Sequence, residues 1–404
     1  MNSTTATRTH ESIELAEFDQ DDPAARGEAH GELWRPQIQE LCEIRGALAL
    51  AKGSFRARGE LEAIAGLHLP VLADFSPPLY AELLGIARGA GVTPEQAVIL
   101  NHYTDLRDVP RSVLDQPVLA DMAKEPGEDP GGCTAIYVPG EGAGPVLGQT
   151  WDMHGTARPF VRLMRIRPRG GDDELLCFTL TGCLGMTGLS ADGVGVTINN
   201  LSSTDGQVGV VWPALVRAML ASGSAMAARR LLEATRLSSG HHYMMADGRE
   251  FFGVETSGRQ KVVTQVSARA AHLHTNHCFD PVLRKVERVP RVSTTYRRFD
   301  LATTLYVQQR PRDPQGVWDF LASHEGYPRS LCSHVADDVG GDPSASRTCG
   351  MMVMQLAGGA VLAGAGCGQE APPRRETLGR WRGTPAIDGE QVAIDAEQAA
   401  RRDL

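Results

Sequence analysis

The chain changes texture at one place, and that change constrains its fold more than any other feature. From about Trp34 to Arg107 apolar residues recur three and four apart, as in PQIQELCEIRGALALAKGSF and PPLYAELLGIARGAG, the period of helices with one buried stripe. After Cys133 the apolar runs become short and β-rich: TAIYV, PVLGQTWDM, VRLMRIRP, ELLCFTLTG and GVGVTINNL, separated by Gly, Pro and Asp. The order predicts an α+β chain in which a helical block precedes stacked antiparallel sheets covered by helices on both faces.

Local signals sharpen this outline. Pro77 and Pro78 suit a helix start and Gly89 to Gly91 a stop, while Thr93, Pro94 and Gln96 suit the cap and first turn of the next helix. The Asp-, Pro- and Gly-rich interval that contains EPGEDPGG predicts an exposed linker over 108–132. A helical interlude, PALVRAMLASGSAMAARRLLEA, interrupts the strands before HYMMADG, EFFGVETSG and QKVVTQVS. Further helices are expected around Tyr296 to Tyr306 and Pro314 to Ser323, and MMVMQLAGGAVLAGAG reads as a buried hairpin.

At 404 residues with 42% hydrophobic content the chain can bury a large core without staples. A net charge of −9 with both signs spread along the chain offers no basic stripe for nucleic acid and no polybasic tail for a membrane surface. No apolar run reaches membrane-spanning length, and the first twenty residues lack a signal-like basic and apolar pattern, so the expected location is the cytoplasm. The eight cysteines stand singly, without a CxxC pair, and most read as reduced core residues.

Four short stretches carry chemistry. In PGGCTAIYVP, Cys133 follows two glycines at the edge of the β-rich half. Its thiol could attack the preceding carbonyl, with Gly132 permitting the strained backbone, and the cut would free an α-amino group whose pKa, near 8, suits a base beside the thiol. The plain alternative is an idle cysteine at a linker edge. Asp152 in GQTWDMHG ends a buried strand, where a carboxylate needs partners; it either orients an amine or accepts turn hydrogen bonds.

AHLHTNHCFDP gathers His272, His274, His277 and Cys278, good zinc ligands by type. Strand alternation would divide them between two faces, and they lack a recognised ligand spacing. An uncleaved metal- or ligand-binding protein built on this cluster is the alternative to an enzyme, and Asn276 within it is an alternative candidate as an oxyanion donor. In SASRTCGMMVMQL, Arg347 precedes an apolar strand and either pairs with Asp152 or a substrate carboxylate or is an ordinary surface arginine.

In order, GC-T, GQTWD, LSADGVGVTINNL, FFGVETS, HTNHC and SR before a closing strand resemble the acyl-coenzyme A:6-aminopenicillanate acyltransferase family, a member of the N-terminal nucleophile hydrolases, from about Tyr80 to Leu356. The resemblance implies a four-layer αββα sandwich and autocatalytic cleavage between Gly132 and Cys133, giving a helical chain, 1–132, and a β-rich chain, 133–404, that stay associated. It implies that Cys133 is the nucleophile, that Asp152 and Asn276 support it, and that Arg347, with Ser346 and Ser257, assists processing or activity. It implies no metal and no resident cofactor, with acyl-coenzyme A a candidate co-substrate. The substrate would be a small N-acyl amine, a β-lactam or a short peptide.

Overall fold

The computed structural model describes residues 12–114, 132–140, 142, 144–342 and 344–385. Most of the expected linker, 115–131, lies outside the described residues, but its beginning does not behave as linker: Val109 is buried, and 111–114 form a 3-10 turn that packs on the third helix.

The helical block consists of α1 (Pro23–Leu33), α2 (Arg35–Lys52), α3 (Arg58–Phe75), α4 (Pro77–Ala90) and α5 (Pro94–Leu106). The boundaries of α4 and α5 follow the start and stop signals read at Pro77, Gly91 and Thr93. Ser76 caps α4, Gly91 ends it in the left-handed region at φ 68°, and Thr93 with Gln96 forms a reciprocal capping box at the start of α5. Helices α1 and α4 touch backbone to backbone, because a Cβ on Gly27 would sit 2.0 Å from the Glu82 carbonyl oxygen and one on Gly85 would sit 2.3 Å from that of Ala24.

Two sheets follow. The larger has eight strands in the order β1 (Leu15–Phe18), β4 (Val161–Ile166), β5 (Leu175–Leu180), β6 (Thr187–Ser190), β7 (Gly195–Leu201), β8 (Gly240–Ala246), β9 (Phe251–Thr256) and β10 (Lys261–Val266). The smaller has six, in the order β11 (His272–His274), β2 (Ala135–Val138), β3 (Val146–His154), β12 (Ser346–Gln355), β13 (Ala360–Ala365) and β14 (Arg374–Thr377). All pairings are antiparallel except one. β1, which precedes the helical block and has no hydrophobic alternation long enough to announce it, pairs parallel with β4.

Strands of the smaller sheet read as continuous apolar runs because both of their faces are covered. Along β12, Met352 and Met354 face the larger sheet, while Met351 and Val353 face the helical side; along β2, Tyr137 and Ile136 divide in the same way. Trp151 from one sheet meets Phe178 from the other edge-on, with ring centroids 6.2 Å apart. α8 (Thr295–Gln309) and α9 (Pro314–Leu321) cover the outer face of the smaller sheet. The expected single interlude is two helices, α6 (Trp212–Leu220) and α7 (Ala225–Ala234), separated near Gly223 and packed on the larger sheet. The result is the αββα arrangement that the resemblance implies, with the helical block added beyond α6. No helix among the described residues is long and apolar enough to cross a membrane.

One buried ion cluster ties the block to the sheets. Glu82 of α4 accepts from Arg26 of α1 at 2.8 Å and from Arg217 of α6 at 2.8 Å. Burial opposes ionisation of Glu82, but the Arg217 and Arg26 guanidiniums outweigh it and hold the carboxyl below its usual range. Its contribution to stability is therefore complete above pH 4.5, the ordinary value, and is lost as pH falls through the depressed one. Glu82→Gln leaves two buried guanidiniums without a counter-charge and is expected to cost about 3–5 kcal/mol in urea unfolding at neutral pH. A loss under about 1 kcal/mol would mean that the cluster does not hold the halves together.

Candidate active site

Residues 132–134 extend the strand pairing of the smaller sheet. Gly132 bridges Asp152 on β3 in both directions: the Asp152 N–H donates to the Gly132 carbonyl at 2.7 Å, and the Gly132 N–H donates to the Asp152 carbonyl at 2.9 Å. The peptide carbonyl before Cys133 is thus already held by a backbone donor, as an oxyanion would be. Gly132 serves this site by its lack of a side chain. A Cβ there would meet Arg298 Nη2 at 2.3 Å and Asn276 Oδ1 at 2.8 Å, and its φ lies outside the left-handed region, so the reason for glycine is close approach rather than strain.

Cys133 is buried and gripped through its backbone. Its N–H donates to Asn276 Oδ1 at 2.8 Å, and its carbonyl accepts from Asn199 Nδ2 at 3.0 Å and Arg298 Nη1 at 2.8 Å. Asn276 lies just beyond β11, where its own N–H donates to Thr295 Oγ1 at 2.7 Å. Its amide orientation follows from its partners. Oδ1 receives both Cys133 N–H and Arg298 Nη2, which only an oxygen can do, while Nδ2 donates to the Asn200 carbonyl at 3.0 Å. Toward Cys133, therefore, Asn276 presents an acceptor in the uncut chain.

Asp152 is buried, with Oδ1 accepting from Thr348 Oγ1 at 2.7 Å and Oδ2 without a partner in hydrogen-bond geometry. Burial pushes its carboxyl up to about 6, against the Arg298 charge and the Thr348 hydrogen bond. Burial, reinforced by the Asp152 charge, pushes the Cys133 thiol up to about 12, against a hydrogen bond from the Asp152 backbone and the Arg298 charge. In the intact chain the thiol is therefore protonated at neutral pH, and a carboxylate that titrates near neutrality lies beside it.

Arg298, on the first turn of α8, is the cation of this site. Besides Cys133 and Asn276 it reaches Thr134 Oγ1 at 3.2 Å and Thr294 Oγ1 at 3.0 Å. Of the readings open for Arg347 in the sequence, the pairing with Asp152 is not formed. Thr348 and Arg347 alternate across β12, so Thr348 faces Asp152 and Arg347 points away, with Nη2 3.7 Å from Asp337 Oδ1. Ser346 lies opposite His154 with its buried Oγ unpartnered. Ser257 is far from Cys133 in its bonding: it donates to Asp205 at 2.7 Å and accepts from the backbone of Arg259 and Gln260 to close the β9–β10 turn.

The histidine cluster is spent on structure. His274 bonds Glu255 at 2.9 Å and the Thr275 carbonyl at 2.7 Å, His272 bonds the Ser267 carbonyl at 2.9 Å, and His277 bonds Thr295 Oγ1 at 3.0 Å. Cys278 donates its N–H to Glu287 Oε1 at 2.5 Å, and burial pushes its thiol up. The rival metal or ligand reading of these four residues gains no support: His274 has both ring nitrogens on protein partners, and His272 and His277 each have one.

A pocket of about 710 Å³, part of it open to solvent, lies against Gly132, Cys133, Asp152 and Asn276. Trp151, Met153, Ile198 and Trp212 give it an apolar wall, and Arg107 and Arg288 add positive charge. Thr104 and Arg107 come from α5 and the turn after it, so both halves of the chain build the pocket.

The raised Asp152 carboxyl has a testable sign. It binds its proton more tightly folded than unfolded, so between its ordinary value of 3.8 and about 6 its ionisation makes stability fall as pH rises. In a Cys133→Ala background, Asp152→Asn is expected to remove that slope, a change on the order of 2–4 kcal/mol between pH 4 and 7 in urea unfolding. Parallel stability–pH curves for the two chains would contradict the burial-driven shift.

Known proteins match this chain in the same region. Residues 139–313 match the model of the family described as acyl-coenzyme A:6-aminopenicillanic acid acyl-transferase. The match takes in Asp152, Asn276 and Arg298, begins after Cys133 and ends before Arg347. An Emericella nidulans protein described as acyl-coenzyme A:6-aminopenicillanic-acid-acyltransferase 40 kDa form is 22% identical over 317 residues, 77% of this chain and 82% of that one. Among solved structures, the Caenorhabditis elegans N-acylethanolamine-hydrolyzing acid amidase ortholog is 14% identical, with a TM-score of 0.36 over 55% of this chain and 93% of that one. Penicillin V acylase from Agrobacterium tumefaciens is 13% identical, with a TM-score of 0.29 over 58% and 82%. The resemblance read from the motifs thus holds in direct comparison: over 139–313 this chain is similar to the acyl-coenzyme A:6-aminopenicillanic acid acyl-transferase family.

Proposed function

We propose that this chain is a self-processing acyltransferase or amide hydrolase that cuts itself between Gly132 and Cys133 and then carries acyl groups on the Cys133 thiol. The observation that carries the reading is the grip on this one peptide bond. Its carbonyl accepts the Asp152 N–H, its nitrogen donates to Asn276, and the next carbonyl is fixed by Arg298 and Asn199. Four separate segments, β3, β7, the turn beyond β11 and α8, thus spend polar groups on holding residues 132 and 133.

In the first step Asp152 takes the thiol proton and the Cys133 sulfur attacks the Gly132 carbonyl carbon. Charge develops on the oxygen that already accepts the Asp152 N–H. The C–N bond breaks as the nitrogen takes a proton, leaving a thioester and a free α-amino group. Water then opens the thioester, giving a Gly132 carboxylate and restoring the thiol. The new amino group stays where the peptide N–H was, against Asn276 Oδ1, which accepts from an ammonium as well as from an amide. With an ordinary pKa near 8, that amine exchanges protons with its own thiol at neutral pH, which the uncleaved residue cannot do.

Acyl transfer repeats the chemistry on a bound substrate. The thiolate attacks an amide or thioester carbonyl, the second hydrogen on Asn276 Nδ2, left over from the Asn200 bond, serves the oxyanion, and the Cys133 ammonium protonates the leaving group. Water or a bound amine then takes the acyl group. The apolar wall of Trp151, Met153, Ile198 and Trp212 suits an apolar acyl chain, and Arg288 suits a carboxylate on the amine part. Because Glu82 binds Arg26 on one side of the cut and Arg217 on the other, the two chains remain associated.

The reading is tested by a panel of N-acyl amines, β-lactams and acyl thioesters, with intact mass and peptide mapping after brief mixing. The expected result is a single acyl adduct on Cys133 that decays with turnover and is absent in Cys133→Ser. Turnover without any Cys133 adduct, and undiminished in Cys133→Ala, would overturn it.

A further inference from the structure

A second cluster of chemistry-bearing side chains lies on the other side of β12 from the pocket. His324, Cys332, His334 and Cys367 direct Nε2, Sγ, Nε2 and Sγ toward a common point, all four atoms within 4.8 Å of one another. They come from the segment after α9 and from the end of β13, so the fold rather than a local motif assembles them. Among the described residues this is the group of His, Cys, Asp or Glu placed to share an ion.

The spacing suits a tetrahedral ion. Zinc bonds of about 2.0–2.1 Å to nitrogen and about 2.3 Å to sulfur require ligand atoms separated by roughly 3.3–3.8 Å. The observed separations are 3.1 Å for His324 Nε2 to Cys367 Sγ, 3.2 Å for His324 Nε2 to His334 Nε2 and 3.7 Å for Cys332 Sγ to His334 Nε2. His324 Nε2 faces another imidazole nitrogen and a sulfur at once, and its one possible hydrogen can serve only one of them. A cation satisfies both.

The surroundings also fit. A carboxylate behind a ligating imidazole is the usual support for a metal-bound histidine, and Asp337 Oδ2 stands 3.5 Å from His334 Nδ1. Asp337 is held in turn by the Tyr327 hydroxyl at 2.6 Å and by Arg347, which gives that arginine a place. The Gln369 N–H points at Cys367 Sγ at 3.4 Å, as backbone amides do toward thiolates. We infer that His324, Cys332, His334 and Cys367 bind a structural zinc ion. The metal-free expectation drawn from the resemblance is replaced by a Cys2His2 site whose ligand spacing matches no familiar motif. Ser333, between two of the ligands, exchanges hydrogen bonds with Thr348, the residue that donates to Asp152, so the ion would fix the back of the active site.

The test uses the full purified chain. Wild-type protein is expected to keep one zinc per chain through dialysis against buffer. After chelation and reconstitution with cobalt(II) it should show thiolate-to-cobalt charge-transfer absorption and the visible bands of a tetrahedral ion. Cys367→Ser should lose both, and Cys42→Ser should keep both. Peptide mapping after alkylation keeps the test decisive if Cys367→Ser fails to fold: Cys332 and Cys367 should be protected in the zinc form and modified once zinc is removed. Wild-type chain that neither retains zinc nor develops the cobalt bands, or that carries a Cys332–Cys367 disulfide, would overturn the inference, as would a folded Cys367→Ser chain that binds cobalt as wild type does.

Discussion

A single buried guanidinium organises the region on which everything else depends. Among the described residues no carboxylate lies within hydrogen-bond distance of Arg298; its donors go to the Cys133 carbonyl, Asn276 Oδ1, Thr134 Oγ1 and Thr294 Oγ1. A buried charge without such partners would be very costly, so the start of α8, the turn beyond β11 and the first residues of the β-rich half must arrive together. Once they do, Gly132 has no room for a side chain, Asn276 has no choice of amide orientation, and the peptide bond before Cys133 has one position. Burial lowers the Arg298 pKa and the nearby Asp152 charge opposes that, so the carboxyl and the guanidinium moderate one another across the site.

The same logic explains how two dissimilar halves make one molecule. The helical block presents Glu82 between two arginines, one its own and one from α6, and lends Thr104 and Arg107 to the pocket. A cut between Gly132 and Cys133 would separate neither group of contacts. The coupling lies in packed and paired side chains.

Much of this was legible in the sequence, and the rest was not for identifiable reasons. The signals at Pro77, Gly91 and Thr93 work through neighbours in sequence, so α4 and α5 could be placed from local pattern alone. The order of helical and β-rich runs predicted sheets covered by helices on both faces, and the family resemblance supplied the αββα layering. Cys133, Asp152 and Asn276 were singled out, and the fold does bring them together. Arg298 was missed because nothing local distinguishes it from Arg297, its exposed neighbour on the same helix; only the turn of α8 decides which of the two is buried. Arg347 does not reach Asp152 because it is one residue from Thr348, and in a strand one residue is the difference between two faces. The four ligands of the inferred zinc site escaped for a related reason. Cys367 lies just beyond β13, far in sequence from His324, Cys332 and His334 in the segment after α9, and the sequence shows histidines more densely packed elsewhere, around His274, whose own nitrogens already have protein partners.

The central claim is that the fold prepares the Gly132–Cys133 peptide for attack by its own thiol. Intact mass and N-terminal sequencing of freshly purified protein test it most directly. The account predicts two chains that co-purify, one ending at Gly132 and one beginning at Cys133, from wild type, and a single uncut chain from Cys133→Ala. A wild-type protein that stays whole, or a Cys133→Ala protein cut at the same bond, would contradict it.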